Sequence, residues 1–451
     1  MREDVTRALA EFALADAAAL PPAVRDQARR AFTNYVGCTL GGVQEPASVH
    51  VRSLGDEFSG PRTATVLGTR LRLDPLHAAL ANGVQSSIQT FDDTHLSSVI
   101  HPTGPVAAAL MALLEHRPQI ACDGSGFLAA LAYGVEVSCR VAVVLTTPPA
   151  QPHLGLFMTG ITGGAGAAAA CARVLGLDAQ RAAWAIGTAA AQAGGLRATH
   201  TTMAAGLVPA LGGRAGLEAA LLAQKGFDGS PATLEHRNGL FAVLAPGSDA
   251  QLALHGLGTR FELQDLSYKP YPCGVVIHPS VDAVLDLVPQ VQGQALESVQ
   301  LRVHPLTLQL TGTRHPAHAL SCNASVYHWT AAALVRGRAG LAEATEQALH
   351  DPAIAALRER IQAQADDTLA RDESIAIVRL ADGRTLRSHV AHARGSRDRP
   401  LTEAELAGKV RALTAPVIGD SAAMRLLGLC QAVPQAAAGW LPELAACCTP
   451  T

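Results

Sequence analysis

From Val5 to about Leu257, apolar side chains recur at the three-and-four spacing of a helix face, interrupted by proline and glycine and by few β-branched alternating runs. A chain written this way over more than half its length is confined to a layered assembly of helices. Pro21-Pro22 opens a helix that carries Arg25 to Leu40 and stops at Gly41-Gly42, and His77 to Ser87 predicts a second. Gly126 to Leu145, Gly163 to Leu175, Arg181 to Gly194 and Gly213 to Lys225 predict four more. The small residues from Gly163 to Ala170 let helices approach closely. The Gly-x-Gly-x-x-Ala spacing from Gly164 also fits a dinucleotide loop, but no strand pattern precedes it and no βαβ unit follows, so helix packing is the reading it supports.

Past residue 265 the texture changes. Ser298 to Val303 alternates with period two, as a half-buried strand does. Ile375 to Leu380, then Ala381-Asp382-Gly383, then Arg384 to Val390 predicts a hairpin, because Asp-Gly supplies the positive φ of a tight turn. Between them, Thr330 to Gly337 and Glu343 to Gln364 predict helices. The tail returns to helix at the capping box Thr402-Glu403-Ala404-Glu405. The expected architecture is mainly α: a large all-α helical domain over residues 1–265 and 396–451, with a smaller α+β lid domain over 266–395.

With 451 residues, 49% of them hydrophobic, the chain can build a large core. Its net charge of −3 and the lack of a Lys/Arg block exclude the electrostatic footprint of a nucleic-acid binder. Nine scattered cysteines without a CxxC pair read as reduced, mostly buried thiols. The start, MREDVTRALAEF, lacks the apolar segment of a signal peptide. Arg173 and Arg214 break the longest Gly/Ala tracts, so no uninterrupted apolar run is expected to cross a bilayer. The expectation is a cytoplasmic protein whose partner is a small molecule, with no nucleic acid and no membrane.

Two polar clusters stand out. Thr90 to Pro105 gathers two carboxylates, two imidazoles and five hydroxyls before the apolar helical pattern from Val106 to Leu114. It reads either as a reactive loop held at the end of a rigid helix, or as an Asx-rich turn with Thr103 capping and Pro105 in the first turn. In Tyr268 to His278, Lys269 sits among aromatics and prolines on a stiff backbone. It reads as a fixed cation for a carboxylate, as a lysine of lowered pKa, or as an ordinary surface lysine. Cys273 reads as a buried structural thiol in preference to an activated thiolate. Asp92, Asp93, His95 and His101 lack a well-spaced further ligand set, and Pro316 breaks the helical spacing of His315 and His318, so no metal is expected. Gly124-Ser125-Gly126 lacks the spacing of a nucleophile elbow.

Several motifs in register resemble the MmgE/PrpD family, whose members include 2-methylcitrate dehydratase, cis-aconitate decarboxylase and iminodisuccinate epimerase. They are Asn82-Gly83, Phe91-Asp92-Asp93-Thr94-His95, His101-Pro102, Gly134-Val135-Glu136, Arg214 to Phe227, Leu234-Glu235 and Lys269-Pro270-Tyr271-Pro272-Cys273. The resemblance implies a helical domain, an α+β lid, a cleft between them, and a homodimer without metal or organic cofactor. His101, Thr94, Lys269 and His278 match the family's active-site positions. Lys269 is then the cation that stabilises developing negative charge, His101 the general acid/base, and Thr94 and His278 orient the substrate.

Asp93, His95, Thr90, Phe157, Ala205 and His328 complete the expected binding wall, and several of these depart from the family pattern. Thr90 stands where an acidic residue is usual, Ser87 and Phe157 where histidines are usual, Ala205 where the Met-Thr-Lys element carries its lysine, and His328 where a tyrosine is usual. A pocket with fewer cations leaves a tricarboxylate uncompensated. A substrate with fewer carboxylates, or with an apolar arm near Phe157, is therefore expected. Arg197, His200 and Thr201-Thr202 lie just before the altered element; Arg197 reads first as a helix-terminal charge and second as a replacement cation. The leading functional reading is a cofactor-free lyase acting on a small carboxylic acid by dehydration or decarboxylation. The alternatives are an epimerase using opposed bases, for which His101 and Lys269 are candidates, and a non-catalytic binding protein.

Overall fold

The computed structural model describes residues 4–291 and 293–450; Met1 to Glu3 of the charged start lie outside them. In chain order the first half forms α1 Val5–Ala13, α2 Pro22–Gly41, α3 Pro46–Phe58, α4 Pro75–Ser87, α5 Thr103–His116, α6 Gly124–Thr146, α7 Met158–Val174, α8 Ala179–Ala191, α9 Ala204–Gln224 and the short α10 Leu240–Leu244. A small ladder, β1 Ala64–Thr65 with β2 Arg72–Leu73, sits among them, and β3 Asp93–His95 pairs antiparallel with β4 Leu266–Tyr268.

Helices α2, α4 and α6 lie where the periodicity predicts, whereas α7 begins at Met158 rather than Gly163 and α9 at Ala204 rather than Gly213. The glycines that read as breaks are contact points inside the helices. A Cβ on Gly216 of α9 would lie 2.4 Å from the Gly164 carbonyl of α7, so close backbone approach repays the helix propensity lost to glycine. This is packing, and the Gly164 spacing carries no dinucleotide loop, since it lies within α7. One membrane expectation needs correcting: α6 is long and apolar enough to span a bilayer, but 94% of its apolar window is buried inside the protein.

The second half begins with α11 His278–Val291 and β5 Leu296–Val303, followed by the short helices α12 Pro305–Thr311 and α13 Ala319–Cys322, then α14 Val326–Arg336. Glu343 to Gln364 is not the continuous helix expected. It divides into α15 Glu346–Leu349, α16 Pro352–Arg358 and the strand β6 Ile361–Ala365. Asp351 restarts the chain by accepting from the backbone N–H groups of Ala353 and Ile354, and Pro352 disfavours helix at the residue before it. Strand β6 lies parallel to β5 at the sheet edge; β7 Ser374–Leu380 and β8 Thr385–Val390 form the predicted hairpin, giving the order β6-β5-β7-β8.

Helices α17 Glu403–Ile418, α18 Asp420–Ala432 and α19 Leu441–Cys447 close the chain, with Thr402 and Glu405 in the capping box read from the sequence. The described residues build two large hydrophobic cores. One takes residues from Val5 to Tyr268 and again from Leu401 to Cys448; the other takes residues from Tyr271 to Val390. The β3–β4 ladder lies beside the switch from one core to the other.

Candidate active site

The β3–β4 register builds the site. Asp93 pairs with Tyr268, Thr94 with Ser267 and His95 with Leu266. One step further along this antiparallel ladder, Asp92 falls opposite Lys269, and the Lys269 ammonium donates to Asp92 Oδ1 at 3.2 Å. It also donates to the Thr90 carbonyl at 3.0 Å. Lys269 is fully buried. The surface-lysine reading therefore fails, and a buried ammonium with a carboxylate partner takes its place.

His101 lies on the other side of the same carboxylate. Its Nδ1 is 3.5 Å from Asp92 Oδ1, 2.8 Å from the Asp93 carbonyl and 3.1 Å from Thr94 Oγ1. A carbonyl can only accept, so Nδ1 carries the proton and Nε2 holds the basic lone pair. Burial pushes the His101 pKa below its ordinary range, with Asp92 opposing, which favours the neutral imidazole. The His101 backbone N–H donates to Thr159 Oγ1 at 3.0 Å in the first turn of α7, fixing the ring's origin.

These groups open into a cavity of about 90 Å³. Ser87, Thr90, Asp92, His101, Phe157 and Ala205 line it from the helical core, and Gly274, Val275, Thr311 and Asn323 from the other side. Thr90 and Val99, both on its wall, hold positive φ of 54° and 52°, backbone strain of the kind that collects at functional sites. Larger clefts lie elsewhere, the two most voluminous of about 570 and 650 Å³. The first has arginines and Glu115 but no histidine; the second has His318 and carboxylates but no cation. Among these clefts of the described residues the smaller cavity joins an imidazole, a cation and a carboxylate, and chemistry outweighs volume in choosing it.

Several expected site residues lie behind the cavity wall. Thr94 is fully buried and touches the site through His101, so it positions the imidazole. Asp93 points away and accepts a hydrogen bond from the Thr103 hydroxyl, so Thr103 ties the loop to α5 and makes no side-chain cap of it. Burial, reinforced by Asp92 and opposed by Thr103, pushes the Asp93 carboxyl up to about 7. His95 is buried between Ser98 and Glu262, at 2.7 and 3.1 Å.

Metal-capable trios do occur among the described residues: His95, Glu262 and Asp265, and the more exposed Asp372, His392 and Asp398. The first is already bonded internally, since Glu262 and Asp265 also pair with Arg260. His278 begins α11 with its ring against Tyr271 and its Nε2 buried without a partner. Burial, with Lys269 nearby, pushes its pKa down to about 3. His328 Nε2 donates to the Glu343 carbonyl at 2.8 Å, and the residue lies outside the cavity.

The alternation of β3 explains the exchange of Asp93 for Asp92. Successive side chains point to opposite faces, so Asp92 and Thr94 share the His101 side while Asp93 and His95 face the helical core. Reading Asp-Asp-Thr-His as a strand rather than a turn was the signal available for this. Lys409, from α17, gave no such signal. It donates to the Phe91 carbonyl and to Asn34, each at 2.7 Å, bracing the loop from beneath.

Fold and site together define a helical protein with a second, α+β core, and with a buried lysine, carboxylate and imidazole meeting between them. Family models describe both parts: the MmgE/PrpD N-terminal domain matches residues 7–253 and the MmgE/PrpD C-terminal domain residues 271–432. The chain belongs to the MmgE/PrpD family.

Among its relatives, the cis-aconitate decarboxylase-like protein oryM of Aspergillus oryzae is 24% identical over 90% of this chain and 89% of its own length. Cis-aconitate decarboxylase of Mus musculus is 26% identical over 79% of this chain and 75% of its own length. The Homo sapiens cis-aconitate decarboxylase is 31% identical over 50% of this chain and 47% of its own length. The C-terminal match runs on through α17 and α18, which the structure packs into the first core.

Proposed function

We propose that the protein is a cofactor-free lyase acting on a small acid with one or two carboxylates, and that the cavity between the cores is its active site. The observation that carries the reading is the sharing of Asp92 Oδ1 by Lys269 at 3.2 Å and His101 at 3.5 Å, with His101 Nε2 left free among the described residues. The descent from a family with decarboxylase relatives supports it.

In the dehydration branch, neutral His101 takes the proton α to a substrate carboxylate at Nε2. The C–H electron pair enters an enolate-like carboxylate stabilised by the Lys269 ammonium, and then forms the C=C bond as the β-hydroxyl leaves as water, taking the proton that His101 accepted. In the decarboxylation branch the C–C pair remains on the substrate as CO2 departs, and a protonated His101 delivers the proton that quenches it. Because His101 and Lys269 contact one carboxylate oxygen, they stand side by side, which favours a lyase over an epimerase with opposed bases. A homodimer in the cytoplasm, and a second core acting as a lid, belong to the same proposal; light scattering of the purified chain tests the dimer.

The branches predict opposite pH profiles. Dehydration rises as pH climbs through the His101 pKa, since the base must be neutral, whereas decarboxylation falls over the same interval. An NMR screen of small mono-, di- and tricarboxylic acids tests the whole reading, with His101→Ala expected to slow turnover by ~10²–10⁴-fold. Consumption of no acid, or equal turnover by the variant, overturns it.

A further inference from the structure

Arg197 and His200 carry unspent polar capacity on the cavity wall. Residues 195–197 run beside 155–157: Phe157 N–H donates to the Gly195 carbonyl at 3.0 Å and Arg197 N–H to the Gly155 carbonyl at 2.8 Å. Arg197 opens the short 3₁₀ turn Arg197–Thr199, and its Nε donates to the Leu156 carbonyl at 3.0 Å. That bond orients the guanidinium, while its two terminal nitrogens meet no acceptor or carboxylate among the described residues. A half-buried guanidinium held by one carbonyl acceptor, with its remaining fork unpaired, is pre-set for a planar anion. Its reading as a helix-terminal charge gives way to this placement.

His200 stands beside it, its ring edge-on to Phe157 with centroids 4.2 Å apart and its Nε2 buried without a partner. Burial, with Arg197, His101 and Lys269 around it, pushes the His200 pKa down to about 3, so its ring is neutral. The cavity thus holds two fixed cations, Lys269 and Arg197, against one carboxylate, and Asp92 lies on the Lys269 side.

We propose that Arg197 seats the substrate carboxylate, with His200 Nε2 as a neighbouring polar contact, and that this pairing limits the substrate to one or two carboxylates. The inference rests on the cavity being the site of a carboxylic-acid lyase. The first carboxylate neutralises Arg197 and a second shares Lys269. A third finds no cation and would be desolvated unpaired.

Isothermal titration with crotonate, succinate and citrate tests this apart from turnover. Wild type is expected to bind crotonate or succinate more tightly than citrate. Arg197→Gln should weaken that binding by ~30-fold, about 2 kcal/mol, and Arg197→Lys should recover part of it. His101→Ala should bind within ~3-fold of wild type, so loss of catalysis does not imitate loss of the anchor. Binding to a folded Arg197→Gln equal to wild type overturns the proposal, as does tightest binding of citrate or no binding of any of the three acids. If Arg197→Gln loses binding and no acid is turned over, the anchor stands and the lyase reading falls.

Discussion

The buried charges on α6 and those at the cavity differ in what is left over. On α6, Glu136 and Arg140 form an ion pair at 2.8 Å with side chains that are almost fully buried. The Glu136 oxygens also accept from the N–H groups of Glu262 and Leu263, and the Arg140 guanidinium donates to the carbonyls of Ala253, His255 and Arg260. Every charge there is spent on protein, and the result is a clamp on the segment leading into β4. In the cavity, Lys269 and Asp92 are paired, yet among the described residues Arg197 keeps a free fork and His200 a bare nitrogen. Burial of charge alone therefore does not mark a site; unfinished hydrogen bonding on a cavity wall, beside a paired lysine and carboxylate, does.

The largest expected effects separate the clusters by the quantity they disturb. Glu136→Ala leaves Arg140 buried and uncompensated, which should cost ~3–5 kcal/mol of stability, while the protein that remains folded turns over at the wild-type rate. Lys269→Met should do the reverse. Turnover is expected to fall by ~10²–10³-fold through lost charge stabilisation in the reaction, with a smaller loss of stability than Glu136→Ala because Asp92 lines the cavity, where water can hydrate it once Lys269 is gone. Denaturant unfolding and single-turnover kinetics on the same samples check both. Equal damage to stability by the two substitutions would dissolve the contrast.

A middle-sized effect comes from Asp93, which belongs to neither cluster completely. Its carboxyl is raised from 3.8 to about 7, chiefly by burial, so the folded chain holds this proton more tightly than the unfolded one. That contribution to stability is fully present below pH 3.8 and is lost as pH rises towards 7. Asp93→Asn removes the loss while keeping an acceptor for Thr103. The variant should therefore gain melting temperature over wild type at pH 8 and gain less at pH 5. A difference that does not change with pH would show that Asp93 stays ionised through the range.

Much of this was legible in the chain, because helices declare themselves locally. Pro21-Pro22, the Asp-Gly hairpin and the Thr402 capping box each carry their signal within a few residues, and the structure has all three. The early starts of α7 and α9 were hidden because their glycines are explained only by a neighbouring helix. Strand β6 was hidden for a related reason: Ile361-Gln362-Ala363-Gln364 lies at a sheet edge, paired with a strand far earlier in the chain. Lys269 and His101 were legible through the resemblance of their motifs. Asp92, Arg197 and Lys409 needed the ladder register and the fold to bring them to the cavity or beneath it.

Thr94 offers the smallest and sharpest test of the distinction between groups that finish a network and groups that react. Its hydroxyl lies 3.1 Å from His101 Nδ1, but the Asp93 carbonyl is nearer at 2.8 Å and holds the same proton. Removing the hydroxyl leaves the tautomer intact and loosens only the ring's orientation. Thr94→Val should then lower kcat by ~3–10-fold with KM unchanged, and Thr94→Ser should restore most of it. A loss as large as that of His101→Ala would place Thr94 among the reacting groups and show that the ladder behind the cavity is part of the chemistry.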